Sequence, residues 1–138
     1  MNSDIYYEIS GEDQNCLQIV LKRNEALIVD SASMCWFSES LDIENMDSMW
    51  SVLIGWRTDL LCVKNKGMDP VMLGLAVPLS GRVLALNFDG SSTRGLFCFK
   101  DSFIAANSGT AIEARPFPQP SKCMMFLCCA FFNNFWKT

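Results

Sequence analysis

Apolar residues occur in short runs along most of the chain, and each run is followed by polar residues or by glycine and proline. Over residues 5–114 the runs are about four to eight residues long and recur about every 8–12 residues, a pattern typical of all-β domains. The pattern therefore predicts strands rather than helices. The predicted strands cover residues 5–9, 16–22, 26–30, 34–37, 41–44, 60–64, 71–77, 83–88, 95–99 and 110–114.

The run at residues 16–22 indicates which side chains face the core. Leu17, Ile19 and Leu21 alternate with more polar residues, as expected for a strand that has one buried face and one face in water. We expect these three side chains to lie in the core. The predicted fold class is all-β, an antiparallel β-sandwich.

Polar segments between the runs predict the turns. Residues 22–25 separate the second and third predicted strands and indicate a hairpin or a tight corner. Asp89 and Gly90 lie between two apolar runs, which is the signal of a β-hairpin between residues 83–88 and 95–99. Further turns are predicted at residues 65–70 and 78–81.

Residues 45–56 have a different spacing from the predicted strands. Their apolar residues recur at i, i+3, i+4 and i+7, which suits one face of a helix. The segment fits either a short amphipathic helix or a strand with a bulge.

The C-terminal segment has an atypical, apolar composition. We divide the chain into a β-sandwich domain at residues 1–115 and a Pro-spaced, Cys- and Phe-rich tail at residues 116–138. The apolar run at residues 123–132 is shorter than the about 20 residues of a transmembrane helix, whereas insertion into a membrane surface stays open. The tail is either a terminal strand or helix that packs on the sandwich, or a non-native segment produced by intron read-through or a frameshift.

Composition and charge narrow the class of protein. Half of the 138 residues are hydrophobic and 19% are charged, which excludes disorder driven by low hydrophobicity and high charge. The formal net charge of −4 gives no long-range attraction to phosphate backbones or anionic lipids. The chain has no histidine, which excludes Ser-His-Asp and Cys-His nucleophiles, the HExxH zinc motif and His-bound haem.

The seven cysteines are predicted to be reduced. The acidic, polar N-terminus has the features neither of a secretory signal nor of an Arg-rich mitochondrial presequence. Cys16, Cys35, Cys62 and Cys98 lie singly on separate runs, so we interpret them as small buried hydrophobic residues rather than metal ligands. The adjacent cysteines at residues 128–129 have the chemistry to bind a soft metal ion or to oxidise.

Sequence motifs of catalysis are missing from the chain. It contains no GxGxxG, Walker or GxSxG pattern, and residues 90–95 fit a turn better than a phosphate-binding loop. Its lysine and arginine residues are spread along the sequence, as expected for a solvent-exposed surface. A nucleic-acid-binding groove would instead have them clustered. We therefore predict a protein that is not an enzyme, with no catalytic, cofactor-binding or metal-binding residues and no cofactor.

The aromatic residues interpreted as core are Trp36, Trp50, Trp56, Phe88, Phe97 and Phe99.

The order of several segments resembles one known family. These segments are Tyr-Glu-Ile-Ser-Gly at residues 7–11, Cys-Leu-Gln-Ile-Val-Leu at 16–21, Glu-Ala-Leu-Ile-Val-Asp-Ser-Ala-Ser-Met at 25–34, Leu-Asp-Ile-Glu at 41–44, Gly-Arg-Val-Leu-Ala-Leu at 81–86 and Gly-Leu-Phe-Cys-Phe-Lys-Asp-Ser-Phe-Ile-Ala-Ala at 95–106. Their succession is similar to the altered-inheritance-of-mitochondria family, also called the mitochondrial biogenesis protein family. The resemblance covers residues 5–114, and no single motif in it is diagnostic.

The resemblance implies a β-sandwich with curved sheets, similar to the tryptophan RNA-binding attenuation protein fold and often assembled into symmetric oligomers. It brings no catalytic residue set. The chain departs from the family pattern in three places. Ser31 and Ala32 replace a Pro-Gly pair, a Gly-rich loop near residues 45–56 is missing, and the sheet order stops early, so we interpret the domain as truncated.

The function implied by the resemblance is that of a non-enzymatic scaffold or assembly protein in mitochondrial biogenesis or inner-membrane organisation. Its expected partners are proteins, including further copies of the chain and mitochondrial inner-membrane proteins; neither nucleic acid nor a transmembrane segment is expected. The expected location is the mitochondrion, with the cytoplasm as the alternative. Two other classes stay open: a binding module for a small ligand or RNA, and a Cys-dependent redox or metal-responsive protein.

Overall fold

The computed structural model describes residues 5–12, 15–46, 60–76, 82–87, 96–99, 102–116, 123–128 and 133–137. Within these ranges the chain forms thirteen strands and one 3-10 turn, at Ser31–Ser33. The strands are β1 (Tyr6–Ser10), β2 (Cys16–Leu21), β3 (Ala26–Asp30), β4 (Met34–Phe37), β5 (Leu41–Asn45), β6 (Leu60–Asn65), β7 (Val71–Ala76), β8 (Val83–Asn87), β9 (Leu96–Phe99), β10 (Phe103–Asn107), β11 (Ala111–Pro116), β12 (Cys123–Cys128) and β13 (Asn133–Lys137). All ten predicted strands are present.

The strands pair in three antiparallel sheets. A four-stranded sheet has the order β1-β2-β7-β4, a six-stranded sheet has the order β5-β6-β3-β10-β13-β8, and a three-stranded sheet has the order β11-β12-β9. The prediction of an all-β, antiparallel β-sandwich is confirmed. No helix in the described ranges is long and apolar enough to cross a membrane.

The main hydrophobic core lies between the four-stranded and six-stranded sheets, because it combines buried side chains from both. Leu17, Ile19 and Leu21 of β2 are fully buried in it, as the alternation of apolar and polar residues predicted. The six-stranded sheet contributes residues such as Val29 and Val63. Period-two patterning on β2 thus fixes which face of the four-stranded sheet packs inward.

A second buried cluster lies on the opposite face of the six-stranded sheet. It contains Ile28, which alternates along β3 with residues of the main core, together with Phe103 and Ala106 of β10. Ile112 of β11 packs against the cluster, which brings the three-stranded sheet to this face. Strand β10 is therefore buried on both faces. The sequence analysis did not predict β10, because a strand that is covered on both sides shows no alternation of polar and apolar residues.

The polar segment at residues 22–25 forms a tight corner rather than a hairpin, because β2 and β3 lie in different sheets. The Glu25 N–H donates to the Lys22 carbonyl at 3.1 Å, and Asn24 adopts a left-handed conformation with φ of 66°. The Glu25 carboxylate accepts a hydrogen bond from the Lys22 N–H at 2.7 Å. These bonds turn the chain from one layer of the sandwich into the other.

Asn65 organises the turn predicted at residues 65–70. Its side chain is fully buried, and its Nδ2 donates to the carbonyls of Leu21 at 2.9 Å and Asp69 at 2.8 Å. Its Oδ1 accepts from the Gly67 N–H at 2.9 Å. The Asn65 side chain therefore ties the turn after β6 to the end of β2 in the other sheet.

The predicted hairpin around Asp89 and Gly90 is wrong. Strand β8 pairs with β13 in the six-stranded sheet, whereas β9 pairs with β12 in the three-stranded sheet. The Asp-Gly pair indicates only that the local sequence favours a turn. Which strands pair in the sheets depends on contacts with distant parts of the chain. Residues 88–95 themselves lie outside the described residues, as do the predicted segments at 47–56 and 78–81.

Two strands of the C-terminal tail are integrated into the sheets. Strand β12 lies between β11 and β9, and β13 lies between β10 and β8. The β13–β10 pairing joins the tail to the strand that is buried on both faces. Of the adjacent cysteines, Cys128 ends β12, and Cys129 lies outside the described residues.

Candidate interaction surface

The outer face of the four-stranded sheet is the side turned away from the main core. Alternation along the strands and the register between them place its residues opposite the buried ones. The sheet contributes to this outer face Tyr6, Glu8, Ser10, Cys16, Gln18, Val20, Trp36, Met72, Gly74 and Ala76.

Trp36 is a large aromatic residue of the outer face and lies on the edge strand β4. It pairs with Gly74 across β4 and β7, and its indole occupies the place where a side chain at residue 74 would begin. The Trp36 side chain is nevertheless 41% exposed, so the expectation that it belongs to the core was wrong. A glycine inside a strand marks a close approach, and Gly74 was the sequence signal that could have revealed this contact.

Of the other aromatic residues interpreted as core, Trp50, Trp56 and Phe88 lie outside the described residues. The side chains of Phe97 and Phe99, on β9, are not described either.

Strand β4 carries a bulge that changes which side chains reach the outer face. The register shifts between Met34 and Trp36, so Cys35 has no partner residue of its own on β7. Cys35 is exposed, which corrects its interpretation as a buried hydrophobic residue. Beyond the strand, the Ser38 hydroxyl accepts from the Met72 N–H at 3.0 Å and donates to the Met72 carbonyl at 3.1 Å.

The outer face is apolar and almost uncharged. Tyr6 is 62% exposed and Met72 is 41% exposed, and among the described residues of the outer face only Glu8 carries a formal charge. Tyrosine, tryptophan and methionine are enriched in protein–protein interfaces, and charged residues are depleted from interface centres. The composition of the outer face is therefore that of an interface.

A different surface, at the β5 end of the six-stranded sheet, is charged. The Lys66 ammonium contacts the Asp42 carboxylate and lies 3.5 Å from a Glu44 oxygen. The hydrogen bond and the negative charge of Asp42 raise the pKa of Lys66. Such exposed pairs are typical of a solvated surface that keeps an edge strand soluble.

The described cysteine thiols differ in their surroundings. Cys16 and Cys62 are half-buried, and burial is the main cause that raises the pKa of each. Cys35 raises the pKa of Cys16 further, because a negative charge on one thiol disfavours a second one nearby. The side chain of Cys98 is not described.

Cys16 on β2 and Cys35 on β4 lie on either side of β7. Their backbones are therefore about 10 Å apart, two strand spacings, which is too far for a disulfide.

In the described part of the chain, no three or more Cys, Asp or Glu residues are grouped so that they could hold a metal ion. The sequence predicted no catalytic, cofactor-binding or metal-binding residue, and binding residues were not identified. What the sequence missed is that Tyr6, Trp36 and Met72 are exposed on the outer face of one sheet.

Comparisons with known proteins identify relatives of the chain. Residues 7–128 match the family described as Mitochondrial biogenesis AIM24. No curated protein matches at a significant level of sequence similarity. Among solved structures, an X-ray crystal structure of a protein from Streptococcus pyogenes superposes with a TM-score of 0.78 and 11% sequence identity. The match covers 97% of this chain and 64% of that one, so the chain spans just under two thirds of that protein's length.

Proposed function

The chain belongs to the Mitochondrial biogenesis AIM24 family, and on that premise we propose that it is a non-enzymatic scaffold or assembly protein that acts through contacts with other proteins in mitochondria. The family description supplies the role in mitochondrial biogenesis. The observation that carries the proposal is the outer face, where Trp36 packs on Gly74 and stays exposed beside uncharged neighbours. Its partner is a protein with a complementary apolar patch, and mitochondrial inner-membrane proteins are the proposed source.

The packing of Trp36 makes it suitable as a binding anchor. Its indole rests on the backbone of Gly74, so little side-chain freedom is left to lose on binding. Large aromatic side chains at interface centres carry a disproportionate share of binding energy. The Ser38–Met72 hydrogen bonds hold the neighbouring end of β4 in place and so favour a preformed surface.

A quantitative affinity purification from mitochondria tests this proposal. The tagged full chain is compared with its Trp36→Ala variant and with Met68→Ala, a control at an equally apolar side chain that is 72% exposed on the turn after β6. We expect Trp36→Ala to reduce the recovery of the specific partner at least about tenfold, and Met68→Ala to leave it unchanged. Equal recovery by both variants would show that the outer face is not the contact surface.

Cell fractionation tests the mitochondrial part of the proposal separately. The native protein is expected to co-purify with mitochondria, and carbonate extraction then separates peripheral from integral association with the membrane. A purely cytosolic protein would contradict the proposed location and leave the interaction surface to be tested with cytosolic partners.

A further inference from the structure

The pairing register arranges the outer face in rows that cross the four-stranded sheet from β1 towards β4. One row is apolar and consists of Tyr6, Val20 and Met72. The next row consists of Glu8, Gln18, Gly74 and Trp36. Because directly paired residues point to the same side of a sheet, the two rows form one continuous surface.

The apolar and the charged parts of this surface lie over different strands. The Trp36 indole lies over Gly74 of β7, and Met72 is the neighbouring outward residue of the same strand. Glu8 lies on β1, two strand spacings from β7, with β2 between them. At about 4.8 Å per spacing, the backbone of Glu8 is therefore about 10 Å from the backbone beneath the indole.

Glu8 is an exposed carboxylate beside the apolar surface. No ion pair in the described ranges involves it, whereas Glu44 on the other sheet lies 3.5 Å from the Lys66 ammonium. A partner that covers Trp36 brings its own groups close to Glu8. Because removing a carboxylate from water is unfavourable unless it is paired, a complementary partner places a cation at this position.

The backbone of the partner decides which structure fits the face of a sheet. The N–H and C=O groups of the sheet are bonded between its strands, so an extended segment that lies on the face finds no backbone partner there. Extended peptides therefore add to the edges of sheets. An α-helix satisfies its backbone groups internally, and its diameter of about 10 Å fits on four strands that span about 14 Å.

We propose that the outer face binds an amphipathic helix of a partner protein, and that this helix carries a lysine or arginine opposite Glu8. Residues i and i+7 of a helix lie on one side and are about 10.5 Å apart, which matches the separation between Glu8 and the indole. An apolar residue i covers Trp36 and Met72, and an apolar residue i+3 or i+4 covers Val20. The basic residue i+7 then reaches Glu8.

This inference rests on the proposed function, because it names the kind of segment that the same face binds. The two can nevertheless fail separately in the affinity purification from mitochondria. A partner that is lost with Trp36→Ala but fully retained with Glu8→Lys would refute the basic residue and leave the scaffold function standing.

Selection from a displayed library of helical peptides tests the inference. The peptides are about 18 residues long, about five turns, and apolar, basic and acidic residues are varied along them. The full chain, Glu8→Lys and Glu44→Lys serve as baits, and Trp36→Ala removes peptides that bind elsewhere. Glu44→Lys is the matched control, because it makes the same change of charge at an exposed glutamate of the edge strand β5.

The expected result is one pattern for two of the baits and the opposite charge for the third. The full chain and Glu44→Lys should both enrich apolar residues at i and at i+3 or i+4, with lysine or arginine at i+7. Glu8→Lys should enrich aspartate or glutamate at i+7 instead. No enrichment over the Trp36→Ala bait would overturn the inference, as would the same charge at i+7 for the full chain and Glu8→Lys.

Fluorescence anisotropy of the best basic peptide then measures the contribution of Glu8. Glu8→Gln is expected to weaken its binding about three- to fivefold and Glu8→Lys at least about tenfold, whereas Glu44→Lys leaves it unchanged. Added salt should weaken binding to the wild-type chain more than binding to Glu8→Gln. Equal losses in Glu8→Lys and Glu44→Lys would mean that net charge alone attracts the peptide, which contradicts a contact at Glu8.

Discussion

The indole of Trp36 covers the Cα of Gly74 on the neighbouring strand, so that a Cβ atom at residue 74 would overlap the ring. The contact joins an exposed aromatic side chain to the backbone of β7, whose adjacent residues Leu73 and Leu75 are fully buried. Trp36 is therefore oriented by the most buried strand of the four-stranded sheet. That support explains how a large aromatic ring can stay ordered on the protein surface.

Gly74→Ala is expected to destabilise the fold by about 1–3 kcal/mol, because the added methyl group must displace the Trp36 indole or shift the strand. The free energy of unfolding from urea titration measures this effect. In a chain that already carries Trp36→Ala, the same substitution should be neutral or slightly stabilising, because space is then free and alanine restricts the unfolded chain more than glycine does.

A double-mutant cycle over these two positions isolates their contact. The four free energies of unfolding should give an interaction energy of at least about 1 kcal/mol. If the effects of Gly74→Ala and Trp36→Ala simply add, the indole does not rest on Gly74.

Most of the correct fold prediction came from the alternation of apolar and polar residues along the strands. The burial of Leu17, Ile19 and Leu21 could be predicted because one side of β2 faces the core and the other faces solvent. The same reasoning failed for β10, which is buried on both faces and contains small alanines. Trp36 was misassigned because hydrophobicity alone does not distinguish a core tryptophan from one that lies on a glycine at the surface.

Pairing between distant strands could not be read from the sequence. The Asp89-Gly90 signal suggested that β8 and β9 are neighbours, but β8 is paired with the last strand of the chain. Such long-range pairings depend on which edges and apolar faces remain to be covered after the local segments have formed. The family resemblance indicated the sandwich but not its strand order.

Asn65→Ala is expected to destabilise the chain by about 2–4 kcal/mol, because it removes the donor to the buried carbonyl of Leu21 and to the part-buried carbonyl of Asp69. Urea unfolding measures the loss. Asn65→Asp tests the direction of these bonds, since a carboxylate keeps the acceptor for the Gly67 N–H but turns two donors into acceptors. We expect Asn65→Asp to be at least as destabilising as Asn65→Ala at neutral pH.

Asn45→Ala is the matched control for Asn65, because Asn45 is exposed at the end of β5. Its effect should stay within about 0.5 kcal/mol. A comparable loss of stability in both alanine variants would contradict the role of Asn65 as the hydrogen-bonding centre of the turn.

Substitutions of Asn24 test whether the corner between the two sheets needs a left-handed backbone conformation at this residue. Its φ of 66° is accessible to asparagine and glycine but strained for β-branched residues. Asn24→Gly should change the free energy of unfolding by less than about 1 kcal/mol, whereas Asn24→Val should cost about 1–3 kcal/mol. Equal stability of the two variants would show that the corner does not need a left-handed residue.

Alkylation of the thiols, followed residue by residue with mass spectrometry, tests the electrostatics of the outer face. Only the thiolate reacts, so a raised pKa moves the rise in reactivity to higher pH. Burial and the nearby Cys35 raise the pKa of Cys16. Cys35→Ser removes the second cause and leaves the first, so the pH profile of Cys16 should move part of the way back to lower pH.

Cys62 is the internal control for this experiment. Its pKa is raised by burial and by Glu44 and Asp42, against the lowering effect of Lys64, and Cys35 contributes nothing to the shift. The pH profile of Cys62 should therefore be the same in the wild-type chain and in Cys35→Ser. A profile that moves equally for Cys16 and Cys62 would mean that the substitution loosens the fold, and no movement at Cys16 would mean that the two thiols do not interact across β7.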